Sequence, residues 1–376
     1  MELKTLNDVD VSGKRVLLRM SLNVPVGTDG KVTDLFRLKR SLPTLEHIVS
    51  KGARVVIVGY FGRSGESLEA VFNALTSIAP NIPMRFFAGV PEDATDEAAK
   101  LAAGECLVLE NIRKHPGEEK NDPALAQALA SLADIYVSDA FAEAHRPYAS
   151  NVGVAALLPS YAGFLMQEEV EHLTPALTPP EGSVAIIGGA KFETKQPLIE
   201  KLLALYSKLL LGGALGNDAI KARGYPFGSS LISEKPMPPE IAGNDHLLSP
   251  DDAYLSGGAL EGRAGYITDT RVEEKIFDIG PETAEAWARV VSAAPFVLWN
   301  GPMGVYEKGF TKGTDALAEA LVASGARAVI GGGDTVAAVS KFSFDPTRIF
   351  VSSGGGAMLD FLSSGTLPAL EPLKKN

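Results

Sequence analysis

Trp299-Asn300-Gly301-Pro302-Met303-Gly304-Val305-Tyr306-Glu307 and Gly331-Gly332-Gly333-Asp334-Thr335 decide how the rest of the chain is read. In both places a short apolar run, residues 295–298 and 326–330, empties into glycines. The second is followed by Val336-Ala337-Ala338-Val339-Ser340, a good helix opening. A third copy runs from Arg348-Ile349-Phe350-Val351 into Ser352-Ser353-Gly354-Gly355-Gly356-Ala357. Strand, glycine loop and helix start together offer bare backbone N–H groups and a positive helix end to phosphate. Asp334, at the mouth of the second loop, has the oxygen ligand that a phosphate-bound Mg2+ takes. A glycine after a strand is often only a tight turn. Three such junctions in one half of the chain, one with an Asp-Thr pair, favour the phosphate reading.

With 376 residues the chain is long enough for two or three domains, and 45% hydrophobic against 22% charged residues is ordinary globular composition. No stretch reaches the length of a membrane span, and MELKTLNDVD has no signal-peptide pattern. The single cysteine, Cys106, lies in an apolar run, which reads as a small core residue in a reducing compartment. The five histidines have no metal-ligand spacing. A net charge of −11 makes nucleic acid and anionic membrane poor partners. Neither GxxxxGK[ST] nor GxGxxG occurs, which excludes a P-loop and weakens a dehydrogenase reading.

In the first half, apolar runs repeatedly end in an arginine-bearing loop. Residues 15–20 lead to Ser21-Leu22-Asn23-Val24-Pro25, and Arg37 opens the helix whose apolar positions recur from Leu38 to Val49. Residues 53–59 lead to Tyr60-Phe61-Gly62-Arg63, residues 106–109 to Arg113, and residues 134–137 to Arg146. Near-continuous apolar runs are expected of parallel strands covered on both faces. In a doubly wound sheet their C-terminal ends share the edge where ligands bind. Any one of these arginines alone reads as a solvated surface residue; four together make a fork-shaped site for phosphate and carboxylate.

The motifs RVLLRMSLNVP, TDLFRL, GYFGR, LENIRKHPGEEKND, SDAFAEAHRPYAS, GGAK, WNGPMGVYE, GGGDT and SSGGGAM occur in the order in which phosphoglycerate kinases carry them, and the chain resembles that family over nearly its full length. The resemblance implies an α/β protein of two doubly wound parallel-sheet, Rossmann-like domains joined by a hinge helix. The acid domain would be residues 1–165 with the tail 364–376 packing back on it. Residues 166–182 would be the interdomain helix and linker, and 183–363 the nucleotide domain.

It further implies reversible phosphoryl transfer between Mg-ATP and 3-phosphoglycerate by a cytoplasmic monomer, the hinge closing when both ligands are bound. Arg37, Arg63, Arg113 and Arg146, with Asn23, Ser21 and Tyr60, would hold the acid. Lys195, Gly212, Gly213, Asn300, Pro302, Val305, Glu307, Gly332, Gly333, Asp334 and Thr335 would hold the nucleotide, with Asp334 on Mg2+. Arg37, Lys191, Lys195 and the helix starts at Gly333 and Gly356 would neutralise the phosphoryl in transit. Lys191 and Lys195, four apart at a glycine-led helix start, are expected on one helix face.

The chain departs from the family at several positions. Ser21 stands where Asp is usual, Tyr60 where His is usual, Lys114 where an aromatic is usual, and Glu143 where a small residue or Thr is usual. Residues 235–246 are shorter by roughly a helix, which implies local trimming of the nucleotide domain rather than loss of its sheet. The changes at positions 21 and 60 leave open a kinase for another phosphorylated or phosphonylated carboxylate, or a catalytically weak ligand-binding relative.

Overall fold

The computed structural model describes residues 1–63, 65–257 and 263–375. By contact the chain divides into Met1–Glu171 with Ser364–Asn376, and His172–Ser363. The helix Phe164–Leu173 carries the chain from the first unit into the second.

The first unit is built on six strands, β1 (Arg15–Met20), β2 (Arg54–Val58), β3 (Met84–Phe87), β4 (Cys106–Leu109), β5 (Ile135–Asp139) and β6 (Ser160–Ala162). They form one sheet in the order β3-β4-β2-β1-β5-β6, every neighbouring pair parallel. Successive side chains of a strand point to opposite faces, and this divides the core in two. Val16, Leu18 and Met20 pack with Leu38, Leu45 and Ile48 of the helix Phe36–Ser50. Leu17 lies on the other face with Leu125 and Leu129 of the helix Pro123–Ser131. Cys106 is buried, and burial pushes its thiol up to about 12, so it is an inert core residue. The strand order reverses between β1 and β5. Because all six strands run the same way, the loops after β1, β2, β4 and β5 leave from one edge.

The C-terminal tail completes this unit. Lys4 N donates to Leu373 O at 2.7 Å, Leu3 forms an antiparallel bridge with Lys374, and Ala369 N donates to Ala144 O.

The second unit has β7 (Val184–Ile187), β8 (Lys208–Leu211), β9 (Leu247–Leu248), β10 (Asp252–Ser256), β11 (Arg263–Tyr266), β12 (Lys275–Ile279), β13 (Phe296–Asn300), β14 (Arg327–Gly331) and β15 (Ile349–Val351). Its main sheet is parallel in the order β15-β14-β13-β7-β8-β9. Val184, Ile186, Val297, Trp299 and Ile330 face the helices Pro281–Ala293 and Lys312–Ala323 through Trp287, Leu317 and Leu321. Here the order reverses between β7 and β13.

The two doubly wound parallel sheets expected from the sequence are both present. The small antiparallel sheet β11-β10-β12 was not anticipated, because runs such as DAYLS and RAGY are too short and too mixed to stand out. Residues 235–246 hold the four-residue helix Pro239–Ala242, the two-residue β9 follows them, and the sheet has six strands.

Asp139, at the end of β5, ties the sheet to the helix Phe164–Leu173. Its Oδ1 accepts from Leu165 N at 2.9 Å and Met166 N at 3.4 Å. Gly163 is required beside it, since a Cβ there would lie 2.2 Å from that oxygen. Complete burial raises the Asp139 carboxyl to about 8, against the pull of Thr44, the two amides and Arg40. The folded state therefore holds a proton that the unfolded chain releases near pH 4. This contribution to stability is full below about pH 4 and is lost as pH rises toward 8. Asp139→Asn should flatten that decline in urea midpoints measured from pH 4 to 8; a slope equal to the wild type's would contradict it.

Candidate active site

In the second unit the loops after four strands are laced together by backbone contacts that leave no room for side chains. Gly188 N, after β7, donates to Asn300 O at 2.8 Å. A Cβ on Gly188 would lie 2.1 Å from Pro302 O, and Gly301 has a φ of +98°, so both positions need glycine. Gly213 N donates to Met303 O at 3.0 Å, and Leu215 N to Gly189 O at 3.1 Å. Gly301 N donates to the Thr335 hydroxyl at 2.6 Å, and Asn300 Nδ2 to Gly331 O at 3.0 Å. The result is a floor of backbone at the strand reversal, the place where open parallel sheets bind ligands.

Around this floor stand the polar candidates. Lys195 Nζ donates to Gly188 O at 2.9 Å; burial lowers its pKa and Asp334 opposes that shift. Lys195 and Gly356, the first residue of the helix Gly356–Ser364, line one cleft with Thr194 and Leu198. Asp334 and Gly333 are exposed in the first turn of the helix Gly333–Val339. A mostly apolar slot is walled by Gly213, Ala214, Leu231, Ile276, Met303 and Val305, with Asn217 and Asp278 among its lining. Gly212, at the end of β8, precedes the slot, Pro302 is buried, and Glu307 is exposed in the turn Tyr306–Lys308.

One expectation about this unit is corrected. Lys191 and Lys195 do not share a helix face. The helix starts at Phe192, and Lys191 is its cap, exposed and left-handed with φ +67°. That conformation costs on the order of 1–3 kcal/mol in a non-glycine residue, and it takes Lys191 out of the helix that carries Lys195. Thr335 is fully buried, and its hydroxyl is turned inward to Gly301 N rather than toward solvent.

In the first unit a second set of groups gathers at the shared strand edge. Arg37 Nη1 donates to Asn23 O at 2.8 Å, Gly62 N to Asn23 Oδ1 at 3.2 Å, and Asn23 Nδ2 to the Tyr60 hydroxyl at 3.4 Å. The Arg113 guanidinium lies 5.2 Å from the centre of the Tyr60 ring and donates to Gly62 O, while Glu119 pairs with it at 2.9 Å. Tyr60 is thus a cationic-side-chain platform; burial and Glu143 raise its pKa, and the three arginines 19, 37 and 113 oppose that. Arg63 and Arg146 are exposed on the loops after β2 and β5; among the described residues no hydrogen bond or ion pair ties their side chains to this cluster.

Ser21 is fully buried and donates to Glu143 Oε1 at 3.4 Å. Glu143 and Arg19, neither of them a candidate from the sequence, lie beneath the cluster. Arg19 sits inside a strand pattern, where it reads as an edge residue. Glu143 stood out only as a departure, and nothing local linked it to Ser21.

A family model described as phosphoglycerate kinase matches residues 6–365. The chain belongs to the phosphoglycerate kinase family. It is 44% identical over 390 aligned positions to a phosphoglycerate kinase of Thermus thermophilus, covering 99% of this chain and 100% of the relative. Among solved structures it resembles phosphoglycerate kinase from Coxiella burnetii, with a TM-score of 0.84, 35% identity and 98% of each chain covered. The phosphoglycerate kinase of Pyrococcus horikoshii OT3 gives a TM-score of 0.87 at 29% identity, over 99% of this chain and 98% of that one. No helix of the described residues is long and apolar enough to cross a membrane.

The inward-turned Thr335 gives a direct test of the laced loops in this family member. Thr335→Val keeps the side chain's shape but strands the buried Gly301 N–H, which costs about 1–3 kcal/mol. The thermal midpoint should fall by several degrees; an unchanged midpoint would mean that the amide finds another acceptor.

Proposed function

We propose that the protein catalyses reversible transfer of the γ-phosphoryl group of Mg-ATP to the carboxylate of 3-phosphoglycerate, forming the acyl phosphate and ADP. The observation that carries this reading is the glycine floor at the β7/β13 reversal, with Lys195 bonded to it and Asp334 at its rim. Full-length membership of the kinase family supports it.

The apolar slot takes the adenine, because a flat base fits where Gly213 and Ala214 present almost no side chain. Lys195, Gly212, Asn300 and the turn from Gly332 to Thr335 lie along the phosphates, with Pro302, Val305 and Glu307 at the base and ribose end. Asp334 is a single exposed carboxylate at a helix start, a donor that suits a cation already carried by nucleotide phosphates. Bound Mg2+ supplies neutralisation of the phosphate oxygens. Arg37, Arg63, Arg113 and Arg146, with Asn23 and Tyr60, gather the acid's phosphate and carboxylate through bidentate forks. Lys191 and the amides of Gly333 and Gly356 from the second unit, and Arg37 from the first, supply positive charge to the phosphoryl group in transit.

The acceptor is a carboxylic acid with a pKa of about 4, ionised at neutral pH, so no general base is needed. Positioning and charge neutralisation account for the rate. A coupled assay should register turnover of 3-phosphoglycerate with Mg-ATP. Arg37→Ala should lower kcat about 100-fold or more, the usual effect of removing one transition-state donor. Asp334→Ala should weaken calorimetric binding of Mg-ADP while leaving metal-free ADP nearly unaffected. An unmutated protein that binds no nucleotide would overturn the proposal.

A further inference from the structure

Two side chains from opposite sides of the strand reversal in the first unit meet: Ser21, directly after β1, and Glu143, on the loop after β5. Both are closed off from solvent, at 0 and 1% exposure. Glu143 Oε1 accepts from Ser21, while Oε2 accepts no hydrogen bond among the described residues and lies 4.0 Å from Arg19 Nη1. This is thin partnership for a buried carboxylate, which is costly unless paired and well hydrogen-bonded.

Arg19 accounts for it only in part: its Nη1 stays 4.0 Å from Oε2, and its buried Nη2 makes no hydrogen bond among the described residues. Its Nε donates to Ser150 Oγ at 3.0 Å and its Nη1 to Met20 O at 2.9 Å, and Glu118, bonded by the same serine, supplies a counter-charge. The groups that face the acid edge are otherwise donors, Arg37, Arg113 and the Asn23 amide. The acceptors beside them each already take a donor from the protein: Asn23 O from Arg37, Asn23 Oδ1 from Gly62 N, Gly62 O and the Glu119 carboxylate from Arg113, and the Tyr60 hydroxyl from Asn23 Nδ2. A basin of donors holds any polyanion alike. To prefer an acid with a hydroxyl, it needs an acceptor for that proton.

We propose that Glu143, acting with Ser21, determines specificity at the acid site: the pair is the acceptor that favours an acid bearing a hydroxyl beside its carboxylate over the same acid without one. Ser21 gives its proton to Glu143, which frees lone pairs on Oγ for the ligand's hydroxyl. Glu143 strengthens that acceptor through its charge and repels anions that bring no donor. Since the pair is covered, the ligand reaches it as side chains of the basin turn toward the ligand. Arg37 and Tyr60, part-exposed and within electrostatic range of Glu143, are placed to do so. The inference rests on the acid-kinase reading above.

The test is calorimetric binding of 3-phosphoglycerate and of its 2-deoxy analogue to wild type, Glu143→Gln, Ser21→Ala, Ser21→Asp and the double change Ser21→Asp/Glu143→Thr. Preference for the hydroxy acid should fall about tenfold or more in Glu143→Gln and Ser21→Ala, the worth of one hydrogen bond to a charged acceptor. The analogue should bind as well as before or better, and Mg-ADP affinity should not change. Ser21→Asp alone should fail to improve binding, because it sets a second carboxylate against Glu143. The double change, which moves the carboxylate across the reversal, should restore the preference. If Glu143→Gln does not fold, Ser21→Ala, which alters no charge, decides the matter. A preference unchanged in the single variants, or equal weakening of both acids, would overturn the inference. Turnover measured in parallel separates the two readings: a wild type that prefers the hydroxy acid, loses that preference in the single variants and yet shows no turnover would overturn the kinase reading alone.

Discussion

The second unit depends on one close approach, backbone against backbone, where β7 and β13 end. Gly188 and Gly301 touch there with no Cβ on either side, and Gly188 N reaches Asn300 O. From that contact the other loops take their positions: Gly213 hangs on Met303, Leu215 on Gly189, and Gly301 on Thr335. The glycines are therefore required twice. They let four loops share one small space, and they keep side chains off the surface of the floor. Lys195 is anchored on the same floor through Gly188 O, so its ammonium is fixed by the packing that makes the floor.

The first unit solves the matching problem with charge. A parallel sheet collects arginines at one edge, and guanidinium groups crowded together repel one another unless something holds them. Carbonyl oxygens of Asn23 and Gly62 take Arg37 and Arg113, the Tyr60 ring lies against Arg113 and Arg19, and Glu118 and Glu143 lie beneath. Burial pushes both carboxyls up, and Arg19 opposes that shift without cancelling it.

The fold was legible because its strands are unbroken apolar runs, and the kinds of group at each site were legible because glycines and arginines follow those runs. What the local pattern could not carry was which loops become neighbours. Ser21 and Glu143 are 122 positions apart, and each looked like an isolated departure until the β1/β5 reversal put them together. Thr335 was readable as a polar residue in a phosphate loop, but not which way its hydroxyl turned. Lys191 kept helix spacing with Lys195, yet a left-handed backbone takes it out of the helix, and spacing alone does not reveal the sign of φ.

The tail that pairs Leu373 and Lys374 with Lys4 and Leu3 bears on the order in which the halves mature during translation. Domains generally fold as units as they leave the ribosome. The second unit is one uninterrupted stretch, His172–Ser363, and has all its residues before the last turn of chain is made. The first unit, although most of it is synthesised earlier, lacks its final pieces until Leu373 emerges. The half that begins first is thus the half that finishes last, its edge left open until Leu373 and Lys374 reach Lys4 and Leu3.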